Sequence, residues 1–233
     1  MARSSSITLD PESILFVDDD LVAVDKASGV LSDASRDPNR DHLGAALQRW
    51  AAHPQADFYP AHRLDLGTSG VVLFARNRNT ATALMQQFQD RTVTKHYQAV
   101  AAVPAGADWS AGHTMNRRSY LRHRKGISEE VRSGGKPAES DFEILRIDQG
   151  LALVQALPKT GRTHQLRVHL AALGAPILGD DRYGTPRTSA AERLWLHARL
   201  LSLTHPTTGK PLAIRSRRCL QLCDGRPRSQ DDG

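Results

Sequence analysis

The stretch "ESDFEILRIDQGLALVQALP", residues 139–158, decides the fold class. Two apolar-rich runs, 139–147 and 151–158, flank Asp148-Gln149-Gly150. A run, a short turn containing glycine and a second run read as a β-hairpin. Outward from it the pattern recurs. "ILFVDDDLVAVDKASG" (14–29) reads as two short strands about the turn Asp18-Asp19-Asp20, with a second turn at Lys26 and Gly29. "VVLFAR" (71–76) reads as a buried strand and "KHYQAVAAV" (95–103) as another, and the last two strands fall at 195–204 and 211–216.

Helices are fewer. "DHLGAALQRWAA" (41–52) has apolar residues at helical spacing behind a capping Asp41. In 77–91, Ala81, Leu84, Met85 and Phe88 fall at i, i+3, i+4 and i+7 and read as a core stripe. "GRTHQLRVHLAALG" opens a helix that stops at Gly174. Its Leu166, Leu170 and Leu173 form a stripe, and His164 and Arg167 lie on another face, where Arg167 is able to point into a cleft. Residues 104–136 are Gly-rich, polar and basic, with no clear period. There is no internal repeat and no domain linker. The expectation is an α+β fold: one catalytic-sized domain over 13–224, with a mixed, mostly antiparallel central sheet flanked by helices. A flexible arm (1–12) precedes it, 104–136 is a basic insertion, and the polar tail 225–233 is expected to be unstructured.

Composition narrows the function classes. Of 233 residues, 39% are hydrophobic and 24% charged, which suits a soluble domain with a core. The net charge is +6, and 25 of the 31 basic residues are arginine, so an anionic partner is expected. Cys219 and Cys223 are too few for a disulfide framework and lack histidines at zinc-site spacing, so free thiols in the cytoplasm are expected. The N-terminus lacks the apolar run of a secretory signal, and no run approaches a membrane span.

Chemistry centres on "HRLDLGTSG" (62–70). Asp65 could cap a turn and pair with Arg63, or it could be a nucleophile that Arg63 positions. The segment is not a nucleophile elbow, which needs G-x-S-x-G, nor a phosphate loop, since no Gly-Lys-Ser/Thr follows. No zinc-binding His-Glu-x-x-His occurs, and no second carboxylate lies near Asp65 in sequence, as a glycosidase would need. A carboxylate among arginines stays ionised. Such a group is a poor general acid and a competent nucleophile or base.

Taken together and in order, "ILFVDDDLVAVDKASGVLS", "HRLDLGTSG", "KHYQAV", "GRTHQLRVHLAALGAPILGDDRYG" and "WLHARLLSLTHP" resemble the motifs of the RluA-type RNA pseudouridine synthases, across about residues 13–216. The resemblance implies isomerisation of uridine to pseudouridine in ribosomal or transfer RNA, without cofactor or metal. It places the catalytic aspartate at Asp65, its ion-pair partner at Arg167, the base-stacking tyrosine at Tyr97, and an RNA-holding arginine at Arg63. One departure is Lys26-Ala27-Ser28-Gly29 where the family has Lys-Pro-x-Gly, which should loosen that turn. The small RNA-binding S4 domain that precedes many relatives is not expected in this short form.

The segment "NRRSYLRHRKG" adds Arg117, Arg118, Arg122, Arg124 and Lys125 around Tyr120. So dense a set of like charges is unlike a core. It reads as a flexible RNA-gripping loop that orders on binding. Asp180, Arg182 and Tyr183 are expected to be scaffold, and His62 and His164 to make structural hydrogen bonds. RNA is the expected partner of a monomer. A non-catalytic RNA-binding protein of the same fold is the alternative, and a nucleoside glycosidase the more distant one.

Overall fold

Hydrogen-bond register and burial follow the sequence pattern closely in the computed structural model, which describes residues 6–35, 37, 39–52, 56–104, 106–185 and 191–231. The fold is α+β, with a mixed, mostly antiparallel central sheet and few helices. In chain order the elements are β1 (Ile14–Val17), β2 (Leu21–Lys26), α1 (Leu43–Trp50), β3 (Tyr59–Pro60), β4 (Ser69–Ala75), α2 (Arg78–Gln89), β5 (Thr94–Ala102), β6 (Thr114–Arg124), β7 (Ile127–Glu130), β8 (Lys136–Asp148), β9 (Leu151–Pro158), α3 (Gln165–Ala172), β10 (Leu196–Thr204), β11 (Pro211–Arg215), β12 (Arg218–Cys223) and β13 (Arg226–Asp231). The chain divides into two compact units: Met1–Thr94 with Leu200–Arg217, and Lys95–Arg199 with Arg218–Gly233.

In the first unit, β2 pairs antiparallel with β1 and β4, from Leu21↔Ala75 to Lys26↔Gly70. Every residue of β2 and β4 is buried. Both faces are covered, so these strands read as continuous apolar runs rather than alternating ones. Leu21, Val71, Leu73, Leu84, Leu201, Leu203 and Ile214 form the core. Each fully buried leucine there contributes roughly 1.5–3 kcal/mol.

Helix α2 is capped by Asn77, whose side chain accepts from Thr80 N at 2.9 Å. Its Leu84 is buried and Phe88 packs on the core, but Met85 is 53% exposed. The expected stripe is one residue too wide, because the short helix offers the sheet only a narrow face. Helix α1 is capped by His42 rather than Asp41. Asp41 instead accepts from Ile7 N and pairs with Arg49, both at 2.5 Å, so part of the expected arm is tied down.

In the second unit the order is β5-β9-β8-β6-β7, each pair antiparallel. The 139–158 hairpin is β8–β9, turning at Gln149 and Gly150, both at positive φ. Leu166 and Leu170 of α3 enter a core with Phe142, Ile144, Val154 and Ile177, and Leu173 packs against it, as its spacing predicts.

Two expectations fail here. Nearly half of 104–136 is ordered as β6 and β7, and β6 pairs with β8 from Thr114↔Glu143 to Leu121↔Lys136. Alternation is present, with Met115, Arg117, Ser119 and Leu121 turned inward, but the charges hide it. The tail is not unstructured either: Arg226–Asp231 pairs with β12 across an Asp224-Gly225 turn. Leu220 and Leu222 anchor that hairpin against Val100 and Leu153.

The most unusual core residue is Lys26, fully buried at the end of β2. Its Nζ donates to the carbonyls of Ala27 (3.1 Å), Val30 (2.7 Å) and Leu66 (3.1 Å). Removing the ammonium leaves buried carbonyls underbonded. Lys26→Met should destabilise the protein by about 2–4 kcal/mol in urea unfolding; a change below about 0.5 kcal/mol would contradict this role for the lysine.

Candidate active site

The loop carrying Asp65 belongs to the first unit. Asp65 is half-buried, and Arg63 and Leu66 beside it are exposed. The turn after β2 fastens the loop along its length. Gly29 N and Lys26 Nζ both donate to Leu66 O, at 2.8 and 3.1 Å. Ser28 Oγ donates to Gly67 O at 2.8 Å. Ser32 Oγ bonds both Leu64 O and Leu64 N at 3.1 Å. Thr68 N closes a turn onto Asp65 O at 3.0 Å. The missing proline therefore does not leave this turn loose: Ser28 supplies a tie of its own. His62 Nε2 accepts from Leu73 N at 3.3 Å and its ring lies 5.2 Å from Phe88, a structural role as expected. A carboxylate on so constrained a backbone is pre-positioned, which is where much of an enzyme's advantage arises.

Arg167 and Tyr97 belong to the second unit. Arg167 is buried, not turned into open solvent. Its Nε and Nη2 donate to Asp180 at 2.8 and 2.6 Å, and Nη2 also reaches Asp181 at 3.2 Å. Its guanidinium lies 5.1 Å from the centre of the Tyr183 ring. Burial pushes the Asp180 carboxyl up, but Arg167 and the N–H groups of Tyr183 and Arg182 outweigh it, and the group titrates below the ordinary carboxylate range. Asp180 and Tyr183 of the "GDDRY" segment have structural roles, as expected. Tyr183 hydroxyl accepts from Ser128 N and bonds His164 Nδ1, each at 2.7 Å. Gly179, at φ +76°, is obligatory: a Cβ there would sit 1.7 Å from Arg193 O. Tyr97 is half-buried on β5, opposite Ala156, with part of its ring against the apolar cluster that α3 completes.

A buried polar chain fixes α3. Gln165 Nε2 donates to Glu139 O and Ser140 Oγ, and its Oε1 accepts from Thr160 Oγ1 and Arg162 N. His169 bridges Ser119 (3.0 Å) and Ser140 (3.1 Å), and burial lowers its pKa to about 4, so it stays neutral at pH 7. Sequence reasoning missed Lys26, Gln165 and His169 as organising residues. For Lys26 the signal was present, a lysine ending a continuous apolar strand.

The basic segment is a hairpin, not a flexible loop. Lys125 and Gly126 make its turn at positive φ. Three of its arginines already hold carboxylates: Arg117 pairs with Glu130, Arg118 with Glu139 (3.0 Å), and Arg122 with Glu129 (2.8 Å).

The family described as "RNA pseudouridylate synthase" matches residues 20–172. The chain belongs to the RNA pseudouridylate synthase family, and is an isomerase by that membership. Within it, the chain is 37% identical over 207 residues to the dual-specificity RNA pseudouridine synthase RluA of Escherichia coli, covering 87% of this chain and 91% of that protein. It is 38% identical over 210 residues to the ribosomal large subunit pseudouridine synthase C of Vibrio cholerae, but spans only 64% of that longer protein. The human RNA pseudouridylate synthase domain containing 1 structure superposes with TM-score 0.69 at 27% identity, covering 88% of this chain and 82% of that one. No helix among the described residues is long and apolar enough to cross a membrane.

The Arg167–Asp180 pair yields a pH prediction. A carboxylate held below its ordinary value stabilises the fold fully above the unfolded value near 3.9 and loses that contribution as pH falls through the folded value. Asp180→Asn should cost about 3–5 kcal/mol at pH 7, because it removes the carboxylate that takes two hydrogen bonds from a buried guanidinium. It should also flatten the fall in stability below about pH 4. Urea unfolding across pH checks both; equal stability of variant and wild type at pH 7 would contradict them.

Proposed function

We propose that this protein isomerises particular uridines to pseudouridine in structured ribosomal or transfer RNA. Asp65 acts as nucleophile or base, Arg167 is its ion-pair partner, and Tyr97 stacks on the flipped base. The observation that carries the proposal is the 37% identity across 91% of the E. coli relative; the three residues are those that the motif resemblance implies.

The reaction is an isomerisation. The bond between N1 of uracil and C1′ of ribose breaks, the base turns, and a bond forms between C5 and C1′. N1 gains a proton and C5 gives one up, so no atom is added overall and no redox partner is required. An ionised carboxylate suffices to attack C1′ or to remove a ribose proton. The target base must first leave its stack, at a few kcal/mol. Stacking on Tyr97 returns about 1–3 kcal/mol of that. Arg63, exposed two residues before Asp65, faces the RNA, and so does the tip of the basic hairpin with Arg124 and Lys125. We assign the protein to the cytoplasm, as a cofactor-free monomer.

The test is to incubate the protein with cellular RNA and map pseudouridine by carbodiimide treatment and primer extension. Wild type should create a new stop, and Asp65→Ala should remove it. RNA binding with no stop from the wild type would overturn the proposal in favour of a non-catalytic binder, and release of free uracil would overturn it in favour of a glycosidase.

A further inference from the structure

The β6–β7 hairpin carries five basic residues in a row of nine, yet they are not equivalent. Arg117 pairs with Glu130 at a half-buried position on the inward face. Arg118 and Arg122 lie on the outward face, each facing a glutamate on a neighbouring strand: Arg118 is in register with Glu139, and Arg122 with Glu129. Each of these three charges is paired with a carboxylate of this chain. Arg124 and Lys125, at the tip, meet no carboxylate among the described residues. A third cation arrives from far along the chain. Arg182 donates through Nη1 to Gly126 O, in the turn itself, and is likewise unpaired with any carboxylate among the described residues. The tip is held rigid: Ser128 N donates to Tyr183 hydroxyl, and Ser128 Oγ donates to Thr163 O, both at 2.7 Å. On the outward face, in line with Arg124, sit Tyr120 and Ile127, 54% and 52% exposed.

We propose that Arg124, Lys125 and Arg182 form the phosphate-gripping patch of this unit, with Tyr120 beside it as a stacking surface for an unpaired base of the RNA. Arg117, Arg118 and Arg122 are cross-strand braces. The proposal rests on the RNA-modifying reading above and deepens it by separating grip from brace. RNA is favoured over an acidic protein because a free cation triad matches backbone phosphates and an exposed aromatic ring accepts any base.

The physical distinction lies in the counterions. A free cation that meets a phosphate releases the salt cation condensed there, which makes binding fall with salt. An arginine that leaves a glutamate for a phosphate frees that glutamate to take up a salt cation, and the net release cancels. The five hairpin cations therefore do not contribute five phosphates to the salt dependence. Two of them do, together with Arg182.

The test measures affinity of the full chain for bulk transfer RNA between low and moderate salt. Each lost grip cation should flatten the slope of log K against log salt by about 0.7–0.9. Arg124→Gln with Lys125→Gln should therefore flatten it by about 1.5, and adding Arg182→Gln by about 2.3. Arg118→Gln with Arg122→Gln should change it by less than about 0.4, and Glu129→Gln with Glu139→Gln should steepen it, since two arginines become free. Tyr120→Ala should weaken binding about fivefold or more at every salt concentration, with the slope unchanged. Thermal unfolding of each variant confirms an intact hairpin. Equal flattening by the brace and grip variants would overturn the proposal, as would an unchanged slope in the grip variants. Pseudouridine mapping on the same wild-type protein separates the two readings: a grip result without pseudouridine condemns the catalytic reading alone.

Discussion

An arginine withdrawn from water must place its five N–H donors on acceptors, or the desolvation cost is not recovered. Arg167 meets part of that demand through Asp180, and much of the second unit follows from it. Holding Asp180 under the guanidinium fixes the 177–184 segment on the flank of α3. Gly179 is needed because that segment runs against the backbone of Arg193. Once the segment is fixed, Tyr183 reaches both His164 and Ser128, and Arg182 reaches Gly126. The β6–β7 hairpin is thus tied to the helix by residues that come from neither. His169 and Gln165 complete the link from the inside, as neutral groups suited to a dry interior.

The first unit solves a related problem with a different cation. An ammonium at the end of a buried strand is received by three carbonyls, and one of them, Leu66 O, belongs to the residue after Asp65. The same carbonyl also accepts from Gly29. The backbone around Asp65 therefore has little freedom to reorient, while Arg63 and Leu66 remain exposed on either side of it. Uridine isomerisation adds and removes no atoms, so positioning and charge are what a protein can supply.

Most of the fold was legible because its signals are local. The paired runs at 139–158, the continuous apolar runs of β2 and β4, and the leucine spacing of α3 each specify an element without tertiary knowledge. The errors share a cause too. Residues 114–130 look like a charged loop because the compensating glutamates lie on other strands, and the pairing that makes the arginines compatible with a sheet appears only once those strands are in register. Met85 fits the helical period, but burial depends on how much of α2 the sheet covers. The terminal hairpin did have a local signal, Asp224-Gly225, obscured by the polar composition around it. Motif resemblance singled out Asp65, Arg167 and Tyr97 as candidates. It did not reveal that Arg167 is buried against Asp180, which depends on a turn twelve residues further on and on the glycine that permits it.

The role of Asp65 is tested most directly by separating binding from chemistry in one experiment. A substrate RNA, tritiated at C5 of uridine, is mixed with excess protein, and tritium released to water is followed through a single turnover beside a measurement of RNA affinity. Asp65→Asn should bind within about threefold of wild type while its release rate falls by about 10⁴-fold or more, as expected when a nucleophile is removed and binding kept. Release at an appreciable fraction of the wild-type rate, or a loss fully explained by weaker binding, would contradict a catalytic Asp65.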